Sequence, residues 1–455
     1  MRVTARRAAV IYALVIAFIA GVAIMVSGFV INGSEWASNK ANRHLFRNGV
    51  MTDAGTIYDR NGVVLASSSD SERIYSNDEN VRKSTLHVVG DTSGFISTGT
   101  HYLYRDVLSG YSKIEGLYNL KQKGVGIDVT LNISSEANKV AYKALGEFNG
   151  AVAVYNYKTG QLLCSVSKPT YDVENKPEDI LTNEKYSGVF LDNFVSGIYT
   201  PGSIMKIVTA ACAIENIPDL YSRTFVCDGK YETGDGTVIC NGEHGEQDIT
   251  KAMNNSCNSA FAEISIELGA EKLQKTAEAL GFNSTLYAKE IRLVKSQFYP
   301  DTVSKTNLGW AGVGQSTTYV NPAHFLSILG AIANGGTGYA PDRIRSSGTV
   351  SQVMGRVPEK LITIAPETAA KLNVLLRSNV EDKYGDWRFG NLQMCGKTGT
   401  AQIDNAKSHS WFAGYSQRED LPLAVIVIAE HGGSGMGVAT NAANKVMQHF
   451  LKNGI

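Results

Sequence analysis

No excess of either charge marks this chain: 43 lysines and arginines stand against 43 aspartates and glutamates in 455 residues. That balance leaves no basic footprint for a phosphate backbone, which excludes nucleic acid as the expected partner. Internal repeats and a low-complexity tail are also missing, so a solenoid or a disordered arm is excluded. There is no Cys-x-x-Cys, and a zinc site built on Cys227, Cys240 and His244 therefore lacks the usual ligand spacing and is set aside. No Ala-x-Ala follows the one long apolar run, as a cleaved secretory signal would require. Only seven residues precede that run, too few for a cytosolic signalling domain.

What is present begins with the run itself. Residues 8–31 carry no charge, and at about 1.5 Å per residue they are long enough to span a bilayer. Arg2, Arg6 and Arg7 precede them, so the positive-inside rule leaves the N-terminus in the cytosol and everything after Asn32 outside. Trp36 suits the outer interface. The run is longer than a signal's apolar core, which favours an uncleaved anchor over a signal peptide. The expected organisation is a tail at 1–7, a transmembrane anchor at 8–31, a small extended N-terminal module at 32–126 and a catalytic domain at 127–455. The length suffices for two or three domains with a substantial core.

Three short motifs then follow in order: Ser203-Ile-Met-Lys206, Ser256-Cys-Asn258 and Lys397-Thr398-Gly399-Thr400. A Ser-x-x-Lys on a helix sets the amine one turn from the hydroxyl, on the same face. Serine is a weak nucleophile until a base takes its proton, and a desolvated lysine can be that base. Ser256 can pass a proton onward while Asn258 holds a substrate amide. Lys397, Thr398 and Thr400 offer positive charge and hydroxyl donors for a carboxylate.

The letters alone do not decide, because the chain repeats them. Ser165-Val-Ser-Lys168 is a second Ser-x-x-Lys, and Lys158-Thr159-Gly160 a second Lys-Thr-Gly. Both lie in strand-like runs around the turn Asn156-Tyr-Lys-Thr-Gly160, and on a strand residues three apart point to opposite faces. Ser203 instead follows the turn Tyr199-Thr-Pro-Gly202 and opens an apolar run, residues 204–215, long enough for a buried helix. Ser256-Cys-Asn258 falls between two helix-like stretches. Residues 397–402, 410–415 and 421–429 read as successive antiparallel strands, the last buried on both faces. Asn321-Pro322 reads as an N-cap and first helical residue. His431, after the last strand, is taken as structural because Lys206 already supplies a base.

The ordered triplet is the set found in penicillin-binding proteins and class A β-lactamases. The chain resembles a class B penicillin-binding protein well beyond it. Gly55-Thr-Ile-Tyr-Asp-Arg-Asn-Gly62 with Val-Val-Leu-Ala66 is similar to a segment near the start of that family's extracytoplasmic part. Gly150-Ala-Val-Ala-Val through Lys158-Thr-Gly-Gln-Leu-Leu163 resembles the hairpin that opens its transpeptidase domain. Ala333-Asn-Gly-Gly336 and Gly396-Lys-Thr-Gly-Thr-Ala-Gln402 also fit. Ala54, where the family often has arginine, and Ile204, in place of the usual threonine, depart from it without touching a reactive group.

The resemblance implies an α/β (α+β) fold: a three-layer, β-lactamase-like transpeptidase domain around an antiparallel sheet, with a transmembrane helix and the extended module before it. It implies a peptidoglycan D,D-transpeptidase that cross-links stem peptides through an acyl-enzyme on Ser203, is inhibited covalently by β-lactams and uses no metal or organic cofactor. Lys206, Ser256, Asn258 and Lys397 complete the catalytic set, and Thr398, Gly399 and Thr400 bind substrate. A SEDS-family glycosyltransferase is the implied membrane partner. Too few residues precede Asp128 for a bifunctional class A arrangement. A D,D-carboxypeptidase or a β-lactamase shares the triad with water as acceptor. Six cysteines outside the membrane permit disulfides; Cys227 and Cys240 bracket a polar loop that a bridge would staple, and Cys164, Cys212, Cys257 and Cys395 read as buried thiols.

Overall fold

The computed structural model describes residues 2–37, 39, 46–47, 50–51, 54–69, 72–110, 126–347 and 356–455; residues 111–125 of the expected 32–126 module lie outside them. Helix α1 (Arg2–Ala37) carries the apolar run, with Ile11, Phe18, Ile24 and Ile31 all exposed. Within it the segment Thr4–Gly33, mean hydropathy 2.8, is long and apolar enough to cross a membrane.

Beyond α1 come β1 (Ile57–Tyr58), β2 (Val64–Ser69) and β3 (Glu72–Tyr75), then α2 (Glu79–Val89), whose N-terminus is capped by the Asp78 carboxylate accepting from Asn80 N–H and Val81 N–H. β4 (Val129–Leu131) runs parallel to β1, and the strand Ile344–Ser347 pairs with the far side of β4. The small sheet therefore draws two of its five strands from beyond residue 127. The boundary read at 126 runs through a shared sheet rather than between two separate units. Asp59 fixes the join. It is fully buried; Oδ1 accepts from Asn61 N–H and Val63 N–H, and Oδ2 accepts from the N–H and the hydroxyl of Ser135. Ser135 opens α3 (Ser135–Leu145), so the Asp-Arg-Asn-Gly turn is bolted to the first helix of the larger domain.

That domain is built on β5 (Gly150–Asn156) and β6 (Leu162–Lys168), a hairpin whose turn is closed by Asn156 Oδ1 accepting from Lys158 N–H and Thr159 N–H. The helical middle follows: α4 (Lys206–Asn216), α5 (Ile249–Asn254), α6 (Asn258–Ala279), α7 (Pro322–Ala333) and α8 (Pro366–Ser378). Asn321 caps α7 and Pro322 is its first residue, as the sequence predicts. Then β7 (Met394–Ile403), β8 (Ala406–Ser416) and β9 (Leu423–Ala429) join the hairpin in a fully antiparallel sheet of order β7-β8-β9-β5-β6, and α9 (Val438–Asn453) ends the chain.

Strand alternation divides the core into two layers. Ala151, Ala153 and Tyr155 of β5 face the cluster formed with α4, α6 and α7. Val152 and Val154 face α3 and α9 through Ala137, Ala141, Val446 and Phe450. Every residue of β9 is buried, at about 1.5–3 kcal/mol for each large aliphatic side chain. The result is the expected three-layer sandwich, and it leaves β7 as an edge strand beside the helical layer.

Candidate active site

Ser203 sits where that edge meets the helices. Sequence reasoning starts a helix there; the structure inserts a 3₁₀ turn, Gly202–Met205, before α4. The tighter turn matters because side chains three apart eclipse in it. Lys206 Nζ comes within 3.0 Å of Ser203 Oγ, and Lys206 is fully buried. Gly202 makes the approach possible: its φ is +55°, and a Cβ there would lie 2.7 Å from the carbonyl oxygen of Thr400 on β7.

The second motif closes over the amine. After α5, Ser256 takes a left-handed φ of 52°, and Cys257 N-caps α6. This turn aims Ser256 O (2.7 Å), Ser256 Oγ (3.2 Å) and Asn258 Oδ1 (2.7 Å) at Lys206 Nζ. The carbonyl and the amide oxygen can only accept, so they take two N–H hydrogens. The remaining contacts are hydroxyls, which can donate. A neutral amine with one lone pair fits this set, and the lone pair then faces Ser203 and Ser256. The Asn258 amide is oriented by its other end, where Nδ2 donates to Ile239 O at 3.0 Å. Burial, then the nearby Lys397, hold the Lys206 amine well below the ordinary lysine range.

Lys397, Thr398, Gly399 and Thr400 lie on β7. Gly399 crosses directly above the Ser203 turn: a Cβ there would stand 2.7 Å from Pro201 O and 3.0 Å from Trp411 Cβ. Trp411 of β8 locks the same contact by donating Nε1–H to Thr200 O at 3.0 Å. Lys397 is fully buried, and burial brings it down to about 7. Its Nζ donates to Thr398 O (3.2 Å) and reaches Tyr384 Oη at 3.4 Å. Thr400 Oγ1 accepts from Gly435 N–H at 3.1 Å.

Tyr384 is the participant that sequence reasoning missed. It ends a wide π turn, Asn379–Tyr384, after α8, and its hydroxyl accepts from Thr398 N–H at 3.1 Å and lies 3.2 Å from Thr398 Oγ1. It thereby satisfies an edge-strand donor that no neighbouring strand covers. In sequence it is one tyrosine within the polar run Glu381-Asp-Lys-Tyr-Gly-Asp386, with no periodicity to single it out. Ser203, Ser256, Asn258, Thr398, Thr400 and Tyr384 line one cleft of about 700 Å³.

The remaining candidates fall elsewhere. Ser165 and Lys168 sit on β6 as the strand reading requires; Ser165 is buried, while Lys168 Nζ donates to Gly146 O. His431 Nδ1 donates to Lys407 O, its ring packs on His409, and it does not line the cleft that holds Ser203. The Cys227–Cys240 bridge is not formed, and all six cysteines are free thiols. Cys227 Sγ instead points to Ser259 Oγ (3.4 Å) and Gly242 O (3.5 Å), and Cys240 Sγ faces Cys257 Sγ at 3.8 Å.

A cleft-lining serine on a buried lysine, closed by Ser-x-Asn and flanked by an edge-strand Lys-Thr-Gly, on a helix–sheet–helix sandwich, defines a serine acyl-transferase. Residues 150–448 match the penicillin binding protein transpeptidase domain, so the chain belongs to that family. It is 24% identical over 357 residues to peptidoglycan D,D-transpeptidase PbpA of Mycolicibacterium smegmatis, covering 70% of each chain. It superposes on penicillin-binding protein A from M. tuberculosis in its penicillin G acyl-enzyme complex with a TM-score of 0.77, at 21% identity, over 88% of this chain and 100% of that one. The D,D-transpeptidase domain of a peptidoglycan glycosyltransferase from Eggerthella lenta gives a TM-score of 0.74 at 26% identity, over 89% of this chain and 99% of that one.

Proposed function

We propose that the chain is a peptidoglycan D,D-transpeptidase whose nucleophile is Ser203, and that β-lactams acylate the same hydroxyl. The observation that carries this reading is the 3.0 Å contact between Ser203 Oγ and a buried Lys206 amine that already has acceptors for two of its hydrogens. Lys206 takes the Ser203 proton as Oγ attacks the penultimate D-Ala carbonyl. The tetrahedral oxyanion is held by the N–H groups of Ser203 and Thr400, each worth about 3 kcal/mol in serine hydrolases. Collapse breaks the peptide C–N bond, and the departing D-Ala nitrogen collects a proton from Lys206 through Ser256, whose hydroxyl lies 3.2 Å from Nζ. A stem-peptide amine then attacks the ester, gives its proton to Lys206 and regenerates Ser203.

Lys397 with the hydroxyls of Thr398 and Thr400 binds the terminal carboxylate, and Gly399 keeps that strand close to the nucleophile. Asn258 has a second role here: one amide hydrogen is committed to Ile239 O, and the other is left for a substrate carbonyl. The residues at 8–31 anchor the enzyme, with Arg2, Arg6 and Arg7 on the cytosolic side and the cleft outside, where stem peptides lie. A SEDS-family glycosyltransferase would meet the exposed apolar face of α1. The test is gel labelling with fluorescent penicillin, wild type against Ser203→Ala, followed by product analysis with donor and acceptor stem peptides. Labelled wild type, unlabelled variant and a cross-linked dimer are expected. An unlabelled wild type overturns the nucleophile, and release of D-Ala without cross-linking turns the reading to a carboxypeptidase.

A further inference from the structure

Behind the wall of the cleft, four side chains from four segments converge with no part in the chemistry above. Cys227 ends the short strand Phe225–Cys227, Cys240 follows Thr237–Ile239, His244 precedes Gly245–Gln247, and Cys257 caps α6. Their sulfur and ring-nitrogen atoms all lie within 4.8 Å of one another. Cys240 Sγ is 3.8 Å from Cys257 Sγ and 3.6 Å from His244 Nδ1.

These distances discriminate between the two things that facing thiols can do. A disulfide needs its sulfurs at about 2.05 Å. A tetrahedral zinc ion, with Zn–S of about 2.3 Å and Zn–N of about 2.0–2.1 Å, sets sulfur–sulfur edges of about 3.8 Å and sulfur–nitrogen edges of about 3.5–3.6 Å. The two pairs at Cys240 match the second, and the remaining edges lie within 4.8 Å. Three thiolates and one imidazole also form a soft set that selects zinc over magnesium or calcium.

The surroundings supply a reason for a staple. The loop between Cys227 and His244 is largely exposed; it is held by two small ladders, Lys230–Glu232 against Thr237–Ile239 and Phe225–Cys227 against Gly245–Gln247, and at its tip by Asp235, which accepts from Lys305 N–H and Thr306 N–H. Isolated two-stranded ribbons of this size are marginal in water. Yet this loop forms one side of the cleft through Ile239, Cys240 and Asn241. It also holds Asn258 at both ends: Nδ2 donates to Ile239 O, and the backbone N–H of Asn258 donates to Cys240 Sγ at 3.2 Å. Cys257 lies between Ser256 and Asn258 in the motif itself.

We infer that Cys227, Cys240, His244 and Cys257 bind one Zn²⁺ ion that fastens the 228–244 loop to the Ser256–Asn258 turn. Binding releases the thiol protons to solvent and leaves three thiolates and a neutral imidazole on the metal. The ion is structural: it positions Asn258 and touches no substrate. The sequence spacing, Cys-x₁₂-Cys-x₃-His-x₁₂-Cys, conceals the site because its ligands come from two ladders and a helix N-terminus rather than from one knuckle.

The experiment uses the full-length protein in detergent, purified without chelator and without a metal-affinity step, with elemental analysis across zinc, iron, copper and nickel. About one zinc per chain is expected in the wild type, with zinc lost in the Cys240→Ser/His244→Ala pair and retained in Cys212→Ala. Replacing zinc by Co²⁺ should give the absorption of a tetrahedral thiolate complex. Absence of stoichiometric metal, or a Cys227–Cys240 disulfide in the mass of the alkylated wild type, overturns the site. These readouts do not depend on transpeptidase activity. Removing zinc should slow penicillin acylation at least severalfold and speed proteolysis within 228–244, both reversed by added ZnCl₂. Acylation and proteolysis unchanged by full zinc removal would overturn the positioning role.

Discussion

Replacing Lys206 by arginine tests the acid–base reading most directly. Arginine preserves the positive charge, the length and several donors, but it keeps its proton at any pH the protein survives. The site gives that change a magnitude. Loss of a positioned general base lowers a rate by about 10²–10⁴-fold, or about 3–5 kcal/mol of barrier. Lys206 has no exposed surface, so the larger guanidinium also costs about 1–3 kcal/mol in overpacking. Lys206→Met supplies the contrast. It deprives Ser256 O and Asn258 Oδ1 of their donor, and two orphaned, partly buried acceptors cost at most about 2–6 kcal/mol of stability. The assay is a rapid-mixing time course of fluorescent-penicillin acylation, paired with thermal unfolding at the same pH. The expected outcome is a folded arginine variant with acylation down by at least about a hundredfold, and a methionine variant impaired in both measurements. A folded Lys206→Arg protein that acylates at the wild-type rate would refute the base.

Four further residues give outcomes that follow from the same geometry. Lys397, brought to about 7 by burial, loses its charge as pH rises, so acylation should decline above about pH 7, and Lys397→Arg should extend the plateau to higher pH. Its folded value lies below the unfolded value of about 10.4, so between the two the unfolded chain binds more protons. This group therefore penalises folding fully below about pH 7, by at most on the order of 5 kcal/mol, and the penalty lifts as pH rises towards about 10; Lys397→Met should flatten that part of the stability profile. Tyr384→Phe leaves Thr398 N–H without its acceptor, and should cost about 1–3 kcal/mol in denaturant unfolding together with slower acylation. Gly399→Ala drives a methyl against Pro201 O, separating β7 from the Ser203 turn; acylation should be lost while circular dichroism is retained. Asp59→Ala removes four hydrogen bonds at the join to α3 and should lower unfolding stability by about 3 kcal/mol or more, with the acylation rate of the folded fraction little changed.

Local signals carried much of this in the sequence. The β5–β6 hairpin announced itself through alternation and an Asn-to-Gly turn, which also disposed of the decoys at Ser165 and Lys158. β9 announced itself through an unbroken apolar run, and α7 through Asn321-Pro322. Failures came where a contact joins distant segments. The turn at Gly202–Met205 is 3₁₀ rather than α because it must fit under β7, almost two hundred residues further along the chain. Tyr384 gained its place from the edge of that same strand. The strand Ile344–Ser347 completes a sheet begun at residue 57, which no reading of the region before residue 127 could foresee. The expected Cys227–Cys240 bridge paired the two cysteines flanking one loop, whereas the fold turns Cys240 towards Cys257 on another segment.

By itself the sequence determined the chemistry on offer. A serine three residues before a lysine, a Ser-x-Asn, a Lys-Thr-Gly-Thr and an apolar N-terminal run are properties of composition and spacing, and they supply the candidates for nucleophile, base, carboxylate holder and anchor. Only the tertiary structure decided whether those groups work together. Burial lowers the Lys206 amine, two acceptors from two other residues take its hydrogens and leave its lone pair towards Ser203, and the crossing of Gly202 and Gly399 sets the distance between nucleophile and strand. Desolvation and close approach depend on atoms far apart in the chain, and packing alone assembles them.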